Sequence, residues 1–176
     1  MESQLSEVLL IVSISNCLRK ATGDGKETTL KTLSANGANI PAIGLGTFQL
    51  QGDACTELVQ TALNGGYNHV DTAALYENEE AVGAGIRASG RNRDDLFITT
   101  KVWPSEVHEG AFQQSVEASL ERLGLDQVDL LLIHWPPKDT DIPGWASLLD
   151  EAVDRGWTRH IGVSNFTTSL LRPMAT

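Results

Sequence analysis

Cysteine is scarce: Cys17 and Cys55 are the only two in 176 residues. They stand far apart with no CxxC, so neither a disulfide framework nor a cysteine zinc site is expected. The four histidines (His69, His108, His134 and His160) form no HExxH or other ligand spacing, which argues against a structural metal. Basic residues are also few, 13 Lys and Arg against 23 Asp and Glu for a net charge of −10. Nucleic-acid surfaces and anionic membranes call for the opposite balance, so neither partner is expected. No apolar run is long enough to span a bilayer; the longest, Val8 to Ile14, is interrupted by serine. It follows Glu2 and Glu7, where a signal peptide would carry basic residues. A cytoplasmic location is therefore expected.

What remains is a chain that is 41% hydrophobic and 20% charged, the balance of one globular domain with a core. Residues 1–27, rich in Ser, Asn and Gly and set off by Gly23-Asp24-Gly25, read as a poorly ordered leader, or as one or two helical turns laid on the surface. A transit peptide is the alternative, and Glu2 and Glu7 count against it. The domain is expected over residues 28–176. Asn36-Gly37, between Leu30–Ser34 and Ala38–Ile43, is a strong hairpin signal. Strand and helix patterns then alternate. Strands are expected at Ile43–Thr47, Tyr67–Asp71, Leu96–Val102, Val128–His134 and Thr158–Ser164. Helices are expected at Ala54–Leu63, Glu79–Ala88, Ala111–Leu123 and Trp145–Val153. Strands this apolar need cover on both faces, which points to parallel β/α architecture.

Each strand after the first ends on a residue able to do chemistry: Asp71-Thr72 with Tyr76 close behind, Lys101, His134, and Ser164-Asn165. In a parallel β/α barrel these ends converge on one face. The types are complementary. A tyrosine is a weak acid at neutral pH; a lysine ammonium nearby lowers its pKa, and a carboxylate such as Asp71 holds the lysine. His134 can orient a carbonyl. The set suits protonation of a carbonyl oxygen, with hydride supplied from elsewhere.

The segments Ile43-Gly44-Leu45-Gly46-Thr47-Phe48, Asp71-Thr72-Ala73 with Tyr76 and Asn78-Glu79, Thr100-Lys101-Val102-Trp103, Ile133-His134-Trp135-Pro136 and Gly162-Val163-Ser164-Asn165-Phe166 resemble the aldo-keto reductase family. The likeness is closest to its 2,5-diketo-D-gluconate reductase branch and covers roughly Leu30 to Leu171. It implies a TIM-type (β/α)8 barrel and NADPH-dependent reduction of an aldehyde or ketone, such as a small keto-aldehyde or keto-sugar acid. It also implies Tyr76 as proton donor, Lys101 and Asp71 as its tuning pair, and His134 as the group that orients the carbonyl. Gly46, Thr47, Asp71, Ser164 and Asn165 match cofactor-binding positions, while Phe48 and Trp103, with Tyr76 and His134, match the substrate pocket.

Other features have plainer explanations. Gly83-Ala84-Gly85-Ile86-Arg87-Ala88 fits the dinucleotide fingerprint only on paper, because it lies within a helical pattern. Its small residues are expected to pack that helix onto the barrel. His69 and His160 are expected to be satisfied structural residues, and His108 a solvated one. Trp103 and Trp135 suit a pocket wall, Trp145 and Trp157 packing. The charges of Arg91–Asp95 are expected to be solvated. The Asn165-Phe166-Thr167 sequon is not expected to be modified in a cytoplasmic chain.

On this reading the chain holds about five β-α units preceded by the hairpin, and it stops after the fifth barrel strand. Open strand edges then predict self-association, aggregation or only marginal folding. Two functions follow: a carbonyl reductase, or a catalytically silent product that acts only as a binding partner.

Overall fold

The hairpin forms where the turn chemistry demands it. In a computed structural model that describes residues 31–138 and 142–171, β1 (Thr32–Ala35) and β2 (Ala38–Pro41) pair antiparallel. Asn36 and Gly37, between them, have φ of 45° and 83°, as a two-residue hairpin of primed type requires. The expected leader, residues 1–27, lies outside the described residues.

The chain then runs β3 (Leu45–Gly46), α1 (Gly52–Asn64), β4 (His69–Asp71), α2 (Glu79–Ser89), β5 (Phe97–Val102), α3 (Ala111–Leu123), β6 (Val128–Ile133), α4 (Ile142–Asp154), β7 (Thr158–Val163) and α5 (Thr168–Leu171). β3 to β7 form one parallel sheet in sequence order. An order without reversal, with a helix after every strand, is that of a β/α barrel and not of a doubly wound sheet. The described residues thus form five β-α units of an incomplete TIM-type (β/α)8 barrel, with the hairpin in front. The first strand is shorter than expected, two residues in place of Ile43–Thr47, and Ile43 is exposed.

Register sorts the side chains into two sets. Asp71 pairs with Thr99, Lys101 with Leu132, and Leu132 with Gly162, which places these residues on the concave face. Val70, Ile98, Val102, Leu131 and Ile133 alternate with them and bury themselves in one core with Val59, Leu63, Val82, Phe112, Val116 and Leu123 of the helices. His69 is buried on the concave face, its Nε2 3.0 Å from Thr99 Oγ1, and is a satisfied structural residue as expected. Trp145 stacks edge-on against Phe166, and Trp157 lies under the Arg155 guanidinium.

Two expectations are refined here. Arg91–Asp95 is solvated only in part: Asn92, Asp94 and Asp95 are exposed, but both arginines are half-buried. Arg91 donates to Leu63 O and Asn68 Oδ1, while Arg93 pairs with Asp129 at 2.7 Å and donates to Leu96 O and Gln127 O. The two guanidinium groups thus tie the end of α1 and the segments that lead into β4, β5 and β6 to one another. The two glycines of α2 seat it against its flanking helices, while Ala81 packs against the core. A Cβ on Gly83 would fall on the Leu123 carbonyl of α3, and one on Gly85 would lie 2.7 Å from Thr56 O of α1. Gly83→Ala is therefore expected to force α2 and α3 apart and cost about 1–3 kcal/mol, measured as a lower urea midpoint. An unchanged midpoint would show that the contact yields freely.

Candidate active site

Adjacent parallel strands bring together a carboxylate and an ammonium. Asp71 closes β4, and Lys101 lies two residues beyond Asp71's register partner on β5. Lys101 Nζ donates to Asp71 Oδ1 at 2.6 Å and to Thr72 O at 2.9 Å. Both side chains are almost wholly buried, at 4% and 3% exposure. Burial lowers the Lys101 pKa, and the Asp71 carboxylate works against that fall. The second carboxylate oxygen, Asp71 Oδ2, is buried without a hydrogen-bond partner.

Tyr76 ends a short 3-10 turn, Ala74–Tyr76, just past β4. Its ring centroid lies 5.1 Å from Lys101 Nζ, 5.1 Å from the Phe48 ring and 5.5 Å from the His134 ring. Its pKa is pushed up to about 12, first by burial and then by the Asp71 carboxylate. This is opposite to the lowering expected from a neighbouring lysine. Lys101 is close, but its charge is already balanced by the carboxylate 2.6 Å away, so the pair presents little net positive field.

His134 follows β6 and keeps its place through a backbone bond from its N–H to Val102 O at 3.0 Å. Trp103 stands edge-on to its ring at 5.3 Å. Burial, and next the Lys101 ammonium, lower its pKa to about 4. At neutral pH it is an uncharged imidazole, and its Nδ1 is buried without a partner.

The remaining candidates flank this cluster. Gly46 is in register with Asp71 on β3. Thr47 is fully buried, and its N–H and Oγ1 both donate to Asp71 O, at 3.0 and 3.1 Å. Its side chain therefore braces the backbone. On the other flank, Asn165 Nδ2 donates to His134 O at 2.8 Å and to Ser164 Oγ at 3.0 Å. Phe48 is 63% exposed even while it touches Tyr76, as a wall of an open mouth would be. Asp71, Tyr76, Lys101, His134, Phe48 and Trp103 thus surround one mouth at the C-terminal strand ends. Gly46 and Thr47 stand beside it near β3, Ser164 and Asn165 beyond β7. Among the described residues, no group of three or more His, Cys, Asp or Glu could hold a metal ion, and no helix is long and apolar enough to cross a membrane.

Residue-by-residue reasoning missed the braces behind Tyr76. Gln51 Nε2 donates to Tyr76 O at 2.7 Å, and Asn78 bonds to both flanking loops. An asparagine at the start of a helix reads as an N-cap, so nothing in the local sequence signalled a longer reach. Exposed Leu75 and Trp135 add apolar surface beside the same loops.

The aldo/keto reductase family model matches residues 42–176. Methylglyoxal reductase DkgB of Yersinia pestis is 46% identical over 136 residues, covering 76% of this chain and 51% of that protein. Glyoxal reductase of Bacillus subtilis is 48% identical over 132 residues, covering 74% and 48%. A solved structure named as a 2,5-diketo-D-gluconic acid reductase B superposes with a TM-score of 0.80 at 45% identity, covering 84% of this chain and 52% of that one. The chain spans about half the length of the curated relatives it matches.

Two electrostatic consequences can be measured. Asp71→Asn removes the charge that raises Tyr76 and frees that of Lys101, so the Tyr76 pKa should drop below its value of about 12. The Cζ shift of 13C-labelled tyrosine against pH reads this, and an unmoved titration contradicts the compensated-pair argument. His134 has a folded pKa near 4 against 6.5 in the open chain. Between those values only the unfolded chain takes up the proton, so stability is full above pH 6.5 and falls as pH drops toward 4. The loss is on the order of 3 kcal/mol. His134→Gln should flatten this part of a stability-against-pH curve.

Proposed function

The chain belongs to the aldo/keto reductase family, and on that premise we propose that it reduces an aldehyde or ketone to the alcohol with NADPH, Tyr76 donating the proton. The observation that carries the proposal is the clustering of Tyr76, His134 and the Lys101–Asp71 pair around one mouth. The names of the relatives, methylglyoxal and glyoxal reductases, favour a small dicarbonyl as substrate.

The residues present fit the nicotinamide end of the cofactor. Asp71 Oδ2 is a buried acceptor that lacks a donor, and a sugar hydroxyl would satisfy it. Ser164 and Asn165, tied to each other and to the His134 carbonyl, would hold the carboxamide. When bound, the reduced nicotinamide supplies the hydride. This chain's own residues do the rest. Phe48 and Trp103 hold the substrate against Tyr76 and His134 and exclude water. The neutral His134 imidazole hydrogen-bonds the carbonyl oxygen and fixes its direction. Tyr76, protonated throughout the neutral range, passes its hydroxyl proton to that oxygen as negative charge develops there. The Lys101 ammonium, anchored by Asp71, faces the tyrosinate that results.

Titrating the chain with NADPH by nucleotide fluorescence, then following absorbance at the reduced-nicotinamide band with methylglyoxal, tests the proposal. Saturable binding is expected, with turnover that Tyr76→Phe lowers by about 10²–10⁴-fold at an unchanged melting temperature. Absence of binding at millimolar nucleotide, or equal turnover by the variant, overturns it.

A further inference from the structure

We propose that Asn78 is a positioning residue: its buried amide locks the loop that carries Tyr76 to the loop that follows β3, and so sets where the phenol stands relative to the Lys101–Asp71 pair and His134. The inference rests on the proposed reductase reading for its catalytic meaning, but the geometry stands apart from it.

Asn78 sits two residues beyond Tyr76, at the N-cap of α2. An asparagine there ordinarily turns its side-chain oxygen onto a backbone N–H of the first helical turn. Asn78 makes no such cap. Its side chain reaches away from its own helix, and at 3% exposure it is buried. Nδ2 donates to Thr47 O at 2.7 Å and to Leu50 O at 2.9 Å, and Oδ1 accepts from Thr72 Oγ1 at 2.8 Å. Both amide hydrogens and the carbonyl oxygen are thus engaged, and every partner belongs to the loops that frame the mouth. Giving up the helix cap for these contacts indicates that holding the loops is what this side chain does.

The bonds close a circuit. Thr47, which receives one Asn78 hydrogen, donates its own N–H and hydroxyl to Asp71 O. Thr72, which donates to Asn78, offers its carbonyl to Lys101 Nζ. One amide therefore links the backbone of the ion-paired carboxylate, the second acceptor of the lysine, and the strand end that leads to Tyr76. A second brace runs parallel: Gln51 Nε2 on Tyr76 O. Between Tyr76 and Asn78, Glu77 is held at φ 53°, a left-handed conformation that a residue with a Cβ adopts at a cost and keeps only where its surroundings enforce it. Asn78 on one side and the Gln51 bond on the other supply that enforcement. Phe48 lies in the loop pinned at Thr47 and Leu50, so the same amide also fixes the aromatic wall against the Tyr76 ring.

The test compares the full chain with Asn78→Ala, Asn78→Asp and Thr72→Val. Asn78→Asp keeps the shape and the acceptor but loses both donors, and Thr72→Val removes one bond only. Two readouts are taken on each: the 13C and ring-proton shifts of Tyr76, and kcat and KM for methylglyoxal with NADPH. Hydrogen exchange of β5 and β6 reports whether the sheet is intact. The expected result is a Tyr76 signal displaced toward its free-chain position in both Asn78 variants, with the sheet still protected. kcat should fall by as much as about 100-fold, the scale of an ångström-sized misplacement, with KM changed far less. Thr72→Val should give a smaller displacement of the same sense. An unmoved Tyr76 signal in both Asn78 variants overturns the proposal, as does a displacement matched by equal loss of sheet protection, which would make Asn78 a stability residue only. Absence of turnover in the parent chain overturns the reductase reading and leaves the Tyr76 signal to decide this one.

Discussion

Placing an ammonium and a carboxylate inside the protein is costly unless each finds its partner at hydrogen-bond distance. Lys101 and Asp71 meet that condition at 2.6 Å, and the Thr72 carbonyl takes a second lysine hydrogen. Much of the site's electrostatics follows from this pairing. The lysine's charge is balanced, so Tyr76 is not acidified, and burial together with the carboxylate carries its pKa up to about 12. The lysine still acts on His134, where burial leads and the ammonium adds to the fall toward about 4. The outcome is a protonated phenol and an uncharged imidazole facing one mouth, with a compensated charge pair behind them.

Parallel pairing is what makes this arrangement available. Side chains alternate along each strand, so two residues of spacing carry Lys101 past Thr99, the register partner of Asp71, to the same concave face. This part was legible in the sequence, because the alternating strand and helix pattern sets Asp71, Lys101 and His134 at or beside the ends of successive strands. The helix α3 was legible over its full length from Val116, Leu120 and Leu123. Less legible were features whose partners lie far along the chain. β3 shrank to Leu45–Gly46 because only those residues find ladder partners on β4. The charges near Arg93 looked solvated because their acceptors, Gln127 and Asp129, come more than 30 residues later.

The braces of the mouth were hidden for the same reason. Asn78 and Thr47 are 31 positions apart, and Gln51 and Tyr76 are 25 apart. No local pattern marks an amide that abandons its own helix for another loop. Function carried on loops needs a scaffold to hold them. Here that scaffold includes side chains of ordinary types, and only their three-dimensional partners distinguish them from surface polar residues.

The high pKa of Tyr76 bears on which of these features matters most to the proposed reaction. A phenol at about 12 is a weak acid toward a resting carbonyl, whose oxygen is a very poor base. An oxygen that has gained hydride at its carbon is becoming an alkoxide, and an alkoxide is a stronger base than a phenolate. Proton transfer is then downhill without any acidification of the tyrosine, and the driving force exists only where charge develops. A protonated state maintained at every neutral pH is an advantage for such a donor. What limits it is distance and direction, since the proton must be in reach as the charge appears. That places the burden on Gln51, Asn78 and Thr47, which hold the loops, as much as on the lysine, which faces the charge the proton leaves behind.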